Sequence, residues 1–186
     1  MLKFEFPIEL PKDDPVTLWK LQQHLIVEAE SRFGARDNNK IVYQPIFRED
    51  GPIIINTPNL DGAFAALSPN AAGYWPTAAY ELAHETLHLL NPTVGLTNWL
   101  EEGIAVAFSI AMSQYTDHPM APPKNSNYSI ALEMVESLPT SYEETARRVR
   151  SECGSLSGAK ISSLVRIFPS SDIALLNRLA ELYVYG

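Results

Sequence analysis

The stretch His84-Glu85-Thr86-Leu87-His88 holds the residues whose types and spacing most clearly suit chemistry. Four residues advance an α-helix by about 400°, so the two imidazoles share one face roughly one turn apart. That spacing lets both rings bind a single Zn²⁺ at about 2.0–2.1 Å. Glu85 is turned by about 100° from His84. It therefore sits beside the metal face without being a ligand, where a general base for a water molecule is needed. Zinc in hydrolytic sites takes three protein ligands and keeps one position open for water, so a third donor is required. Asn91 and Val94 occupy the places where the longer HExxHxxGxxH pattern needs glycine and histidine, which excludes that pattern. After a turn containing Pro92 and Gly95, Asn98-Trp99-Leu100-Glu101-Glu102-Gly103 opens a second helix with two carboxylates near its start. A helix–loop–helix of this length can fold back and aim one of them at the first helix.

The second stretch, Trp99-Leu100-Glu101-Glu102-Gly103-Ile104-Ala105, resembles the WLxEGxA signature of gluzincin metallopeptidases, the superfamily of thermolysin-like enzymes and zinc aminopeptidases. In that signature the glutamate before glycine is the third zinc ligand, which implies Glu102 here, with His84 and His88. Glu101 has another task available. With Asn98 as N-cap, Glu101 falls at the third helical position, where its side chain can reach back to the cap's amide. The donor set of two imidazoles and a carboxylate suits zinc, although iron and manganese accept it too.

The resemblance spans about Ala79 to Phe108 and departs from the larger enzymes in two places. Thirteen residues separate His88 from Glu102, fewer than in the zinc aminopeptidases. Gly62-Ala63-Phe64-Ala65 lies upstream where those enzymes carry GAMEN, but Ala65 replaces the glutamate that grips a substrate N-terminus. That missing carboxylate argues against a typical aminopeptidase. The family also implies a phenol or imidazole that stabilises the oxyanion. Tyr128, at the head of a segment similar to the helix bearing that tyrosine, is the candidate, with Tyr115, Tyr142 and His118 as competitors. As a packing aromatic at a helix start Tyr128 needs no such role. His24 lies on the first helix and is read as non-catalytic.

The implied reaction is peptide-bond hydrolysis on a peptide or protein substrate, with Glu85 taking a proton from the attacking water and returning it to the leaving amine. Ala63–Leu67 is expected to be an edge strand that aligns an extended substrate by β-addition. Other readings are a self-inhibited or narrowly regulatory peptidase, a relative of the HExxH regulators that cleave transcriptional repressors, and a silent binding module with zinc as a staple. The regulators lack the WLxEGxA pattern. A structural staple has no use for Glu85.

The rest of the chain must position these groups. Its 186 residues, 46% hydrophobic and 19% charged, provide for one globular domain and its core. A formal net charge of −8 disfavours a nucleic-acid backbone as partner. The single cysteine, Cys153, excludes an internal disulfide and fits a reducing compartment. The N-terminal residues lack a signal-peptide pattern, and the apolar run Ile104–Met112 is too short to span a bilayer, so a soluble, cytoplasmic protein without membrane partners is expected.

Asp13 and Asp14 before Pro15 start a helix with Leu18, Leu21, Leu25 and Val27 on its apolar side, ending near Gly34. Ile41–Phe47 and Ile53–Ile55 read as strands joined by a hairpin turn at Glu49-Asp50-Gly51. Helices are expected from Pro76 to Asn91, from Asn98 to about Tyr115, and at about 128–137, 141–152, 161–167 and 172–184, with a proline-marked loop at 119–123. The expected architecture is a single α+β, zincin-like domain, residues 1–186. Its small mixed α/β lobe (1–75) carries a short sheet and precedes a mainly helical lobe (76–186) with the metal site.

Overall fold

The computed structural model describes residues 4–184 and is a mixed α+β structure. Its elements run α1 (Pro15–Phe33), β1 (Ile41–Val42), β2 (Ile46–Phe47), β3 (Ile53–Asn56), β4 (Gly62–Leu67), α2 (Pro69–Ala72), α3 (Trp75–Leu89), α4 (Trp99–Ser113), α5 (Asn127–Glu136), α6 (Tyr142–Cys153), α7 (Ile161–Ile167) and α8 (Ile173–Ala180). None of the described helices is long and apolar enough to cross a membrane.

The chain divides into two compact units. The first takes the chain up to Ser31, then Ala35–Pro92 and Phe108–Ala121. In it, Asp14 caps α1 by accepting the Thr17 amide at 2.9 Å, with Pro15 in the first helical position. Leu18, Leu21, Leu25 and Ala29 form the buried stripe, at spacings of three and four residues. Val27 falls off that stripe and is exposed, so it is no core residue.

The sheet corrects two expectations. β4 pairs with all three other strands: parallel to β1 and β2, antiparallel to β3. The carbonyls of Asp61, Ala63 and Leu67 accept from Ile41, Tyr43 and Arg48. Those carbonyls are an even number of residues apart and point to one edge of β4, so β1 and β2 follow each other along it. The register passes from Ile41↔Gly62 to Ile46↔Ala66, which leaves one extra residue on the outer strand, beside Pro45. β3 occupies the opposite edge, where Thr57 donates to the Gly62 carbonyl. The segments 41–47 and 53–55 therefore do not pair with each other. The hairpin is β3–β4, turning through Thr57–Asp61, with Leu60 at a positive φ of 57°.

β4 itself is no edge strand, because hydrogen bonds occupy both of its sides. The reason lies in its side chains. Ala63, Ala65, Ala66 and Leu67 are all fully buried, and a strand covered on both faces carries no apolar–polar alternation. Gly62 is required by close approach, since a Cβ there would lie 2.4 Å from the Ile41 carbonyl oxygen. α3 packs against β4 and β3, and the short helix α2, capped by Ser68, precedes it.

The second unit comprises Arg32–Gly34, Thr93–Ala107 and the chain from Pro122 onward. Ser126, Ser141 and Asp172 cap α5, α6 and α8 through their side chains. The last helix stops at Ala180, short of the expected 184, because Glu181 turns extended (φ −69°, ψ 152°). Leu182 then bridges to Asn98 in antiparallel fashion. Tyr183 is buried against Trp99, and its amide donates to the Thr97 carbonyl at 2.8 Å.

Candidate metal centre

α3 is built from alanine and leucine with good helix propensity, and residues around its whole circumference are buried. Its polar members are therefore costly to keep unless they are satisfied. Thr86 returns its hydroxyl to the Leu82 carbonyl at 2.6 Å, as buried helical threonines do. His84 and His88 are each only 8% exposed, and Glu85 is 3% exposed. The two imidazoles lie with ring centroids 5.0 Å apart.

α4 begins where the cap chemistry places it. Asn98 Oδ1 accepts the Glu101 amide at 2.9 Å, and its Nδ2 donates to the Leu156 carbonyl at 2.9 Å. Gly103 follows at a point where α4 meets α5 closely. A Cβ there would lie 2.4 Å from the Ala131 carbonyl oxygen. Glu102 sits between these two features and is fully buried.

His84, His88 and Glu102 each offer one ligand atom, and the three atoms lie within 4.8 Å of one another. The donor chemistry fits a zinc ion: two neutral imidazoles and a carboxylate. Among the described residues this group has three members, fewer than the four that structural zinc sites use.

Glu101, its neighbour, faces other partners. It receives the Ser157 hydroxyl on Oε2 and, through its amide, serves the Asn98 cap. Glu102 accepts the Thr97 hydroxyl on Oε1 at 2.5 Å. Burial pushes the Tyr183 phenol well above its ordinary pKa, and the negative charge of Glu102 adds to the rise.

The remaining candidates are dispersed. Tyr128 opens α5 and stacks on Tyr183, 5.6 Å between centroids, against the cluster of Trp99, Ala131 and Tyr183. Tyr142 takes the Arg32 guanidinium on its hydroxyl and packs on Phe33; its phenol is pushed up to about 12, first by burial and then by Glu143. Tyr115 meets Phe4 edge-on. His118 lies beside Tyr74, 6.0 Å between centroids, at a cleft of about 290 Å³ that Phe6, Trp75 and Asp117 also line. His24 sits edge-on to Phe4, and its buried Nε2 has no hydrogen-bond partner among the described residues.

Two residues around Glu102 escaped the sequence reading. Thr97 looks like a spare cap ahead of Asn98, and Tyr183 falls in a tail whose apolar spacing mimics the helix before it. Comparison with protein-family models, with curated proteins and with solved structures returned no match.

Proposed function

We propose that this chain is a zinc-dependent peptidase of gluzincin type, with His84, His88 and Glu102 as ligands and Glu85 as general base. The gathering of His84, His88 and Glu102 carries the reading. When bound, zinc supplies Lewis acidity toward the scissile carbonyl and the attacking water. Glu85, one residue from His84 on a rigid buried helix, takes a proton from that water and passes it to the leaving nitrogen. The low exposure of the ligand side chains supports tight, water-poor binding of the ion.

The rival is a silent zincin-like module with zinc as a staple. Three donors among the described residues, rather than four, favour the catalytic reading. So does a buried carboxylate at position 85, for which a staple has no use.

The test is metal analysis of the purified protein, then digestion of a peptide library with and without chelator. One equivalent of zinc and chelator-sensitive cleavage are expected. Glu85→Gln should keep the zinc and lose at least about 10²-fold in rate, the usual worth of a general base. Undiminished cleavage by that variant, or a protein that takes up no metal, would sink the assignment.

A further inference from the structure

Glu102 does not find its orientation alone. Thr97 precedes the N-cap of α4, and a threonine there would ordinarily compete to cap the helix. Asn98 already fills that place, with its Oδ1 on the Glu101 amide. The Thr97 hydroxyl is directed instead to Oε1 of Glu102, five residues on. An ionised carboxylate only accepts, so the hydroxyl is the donor.

The backbone of Thr97 is held in turn. Its carbonyl accepts the Tyr183 amide at 2.8 Å, and the Trp99 amide donates to the Glu181 carbonyl at 3.1 Å. Asn98 and Leu182 form the antiparallel bridge between these bonds. The strap is fastened beyond them: Tyr183 is buried against Trp99, 4.8 Å between centroids, and Asn127 Nδ2 donates to the Val184 carbonyl at 2.8 Å.

We infer that Thr97 is a positioning residue for the third metal ligand, and that the segment Glu181–Val184 is the strap that fixes Thr97 in place. This rests on the reading of Glu102 as a ligand. A glutamate side chain has several rotamers to lose on binding a cation. Fixing it during folding removes that cost from the binding step. Partners that orient a metal ligand in this way are worth about 10–100-fold in affinity.

The experiment measures zinc affinity by competition with a chromophoric chelator, for the full chain and two variants. Thr97→Val keeps the shape and removes the donor, and should bind zinc about 10–100-fold more weakly. Thr97→Ser restores the hydroxyl and should return to within about threefold of the parent, an effect smaller than the loss of an orienting partner. A merely structural role would lower the melting temperature without moving affinity, or would not be rescued by serine.

Coupling is reciprocal, so the unmodified protein provides a second readout should the valine variant not fold. Added zinc should slow hydrogen exchange at the Tyr183 amide. If Thr97→Val binds zinc as tightly as the parent, or zinc leaves Tyr183 exchange unchanged, the positioning role is overturned while the metal centre stands. If the parent binds no zinc, both fall together.

Discussion

Replacing Gly103 by alanine sets two effects of opposite sign against each other on α4. Alanine is the better helix former by about 0.8–1.0 kcal/mol in a helix interior. Against that, the added methyl group would lie 2.4 Å from the Ala131 carbonyl oxygen, 2.6 Å from Val135 Cγ2 and 2.8 Å from the Ala131 carbonyl carbon. Ordinary contact begins near 3.4 Å, so α4 and α5 must part by about 1.0 Å. The nearest obstacle is backbone on a regular helix and cannot rotate aside. Overpacking of this kind costs about 1–3 kcal/mol, and a backbone obstacle belongs at the upper end.

The clash wins, leaving a net loss of about 1–2 kcal/mol. For a chain of this size that is a fall of about 2–8 °C in melting temperature, read by calorimetry without added metal. Zinc affinity should fall as well, since the displaced stretch carries Glu102. Trimming Val135 to alanine in the same chain should not restore stability, because the carbonyl remains in the way. A Gly103→Ala protein that melts at or above the parent's temperature refutes the close-approach argument.

Two further outcomes follow from the first unit. Glu81 accepts both the amide of Ser68, at 2.8 Å, and its hydroxyl, at 2.6 Å. Glu81→Ala strands two donors beside the cap of α2 and should cost about 2–3 kcal/mol in chemical denaturation, whereas Glu81→Gln keeps an acceptor and should lose about 1 kcal/mol. Tyr80 is pushed up to about 12 by burial alone. Its folded value lies above its unfolded one, so the folded state holds the proton more tightly and stability falls as pH rises from about 10 towards about 12. Tyr80→Phe should remove up to about 2–3 kcal/mol of that alkaline loss, read from unfolding free energies at pH 9 and pH 12; an unchanged slope contradicts the burial.

The helical half of the chain was legible because its punctuation is chemical. Pro15, Asn98, Ser126, Ser141 and Asp172 stand at or beside helix starts, and caps act locally. The strand segments at 41–47, 53–55 and 63–67 were legible too, but their pairing was not, and β4 explains why. Gly62-Ala63-Phe64-Ala65-Ala66-Leu67 has small side chains because strands lie on both its edges and both its faces are covered. It therefore lacks the period-two signal of an exposed strand. The hairpin was misassigned for a related reason. The turn at Glu49-Asp50-Gly51 exists, but nothing local tells the chain that β4 will come between the strands it joins. The tail failed in the opposite way: Leu176, Leu179 and Tyr183 keep helical spacing, yet the backbone turns extended after Ala180 so that Tyr183 reaches its burial against Trp99.

Of the candidate metal centre, His84, Glu85 and His88 are local and readable, whereas Glu102 needed a second motif and its hydrogen-bond partner Thr97 needed coordinates. Burial adds what neither motif contains. Glu85, Glu101 and Glu102 are all nearly or wholly excluded from solvent, beside two histidines that are nearly so. Buried carboxylates are expensive unless they are paired or coordinate a cation. Glu101 is answered locally, by Ser157 and by its place behind the Asn98 cap. The Thr97 hydroxyl donates to Oε1 of Glu102 and orients that carboxylate. His84 and His88 offer ligand atoms within 4.8 Å of one of its oxygens, and imidazoles bind metal as neutral ligands. A divalent cation held by these three groups would offset the negative charge of the Glu102 carboxylate. The donor set of two imidazoles and one carboxylate is thus one that a divalent cation would fit, as the proposed function requires.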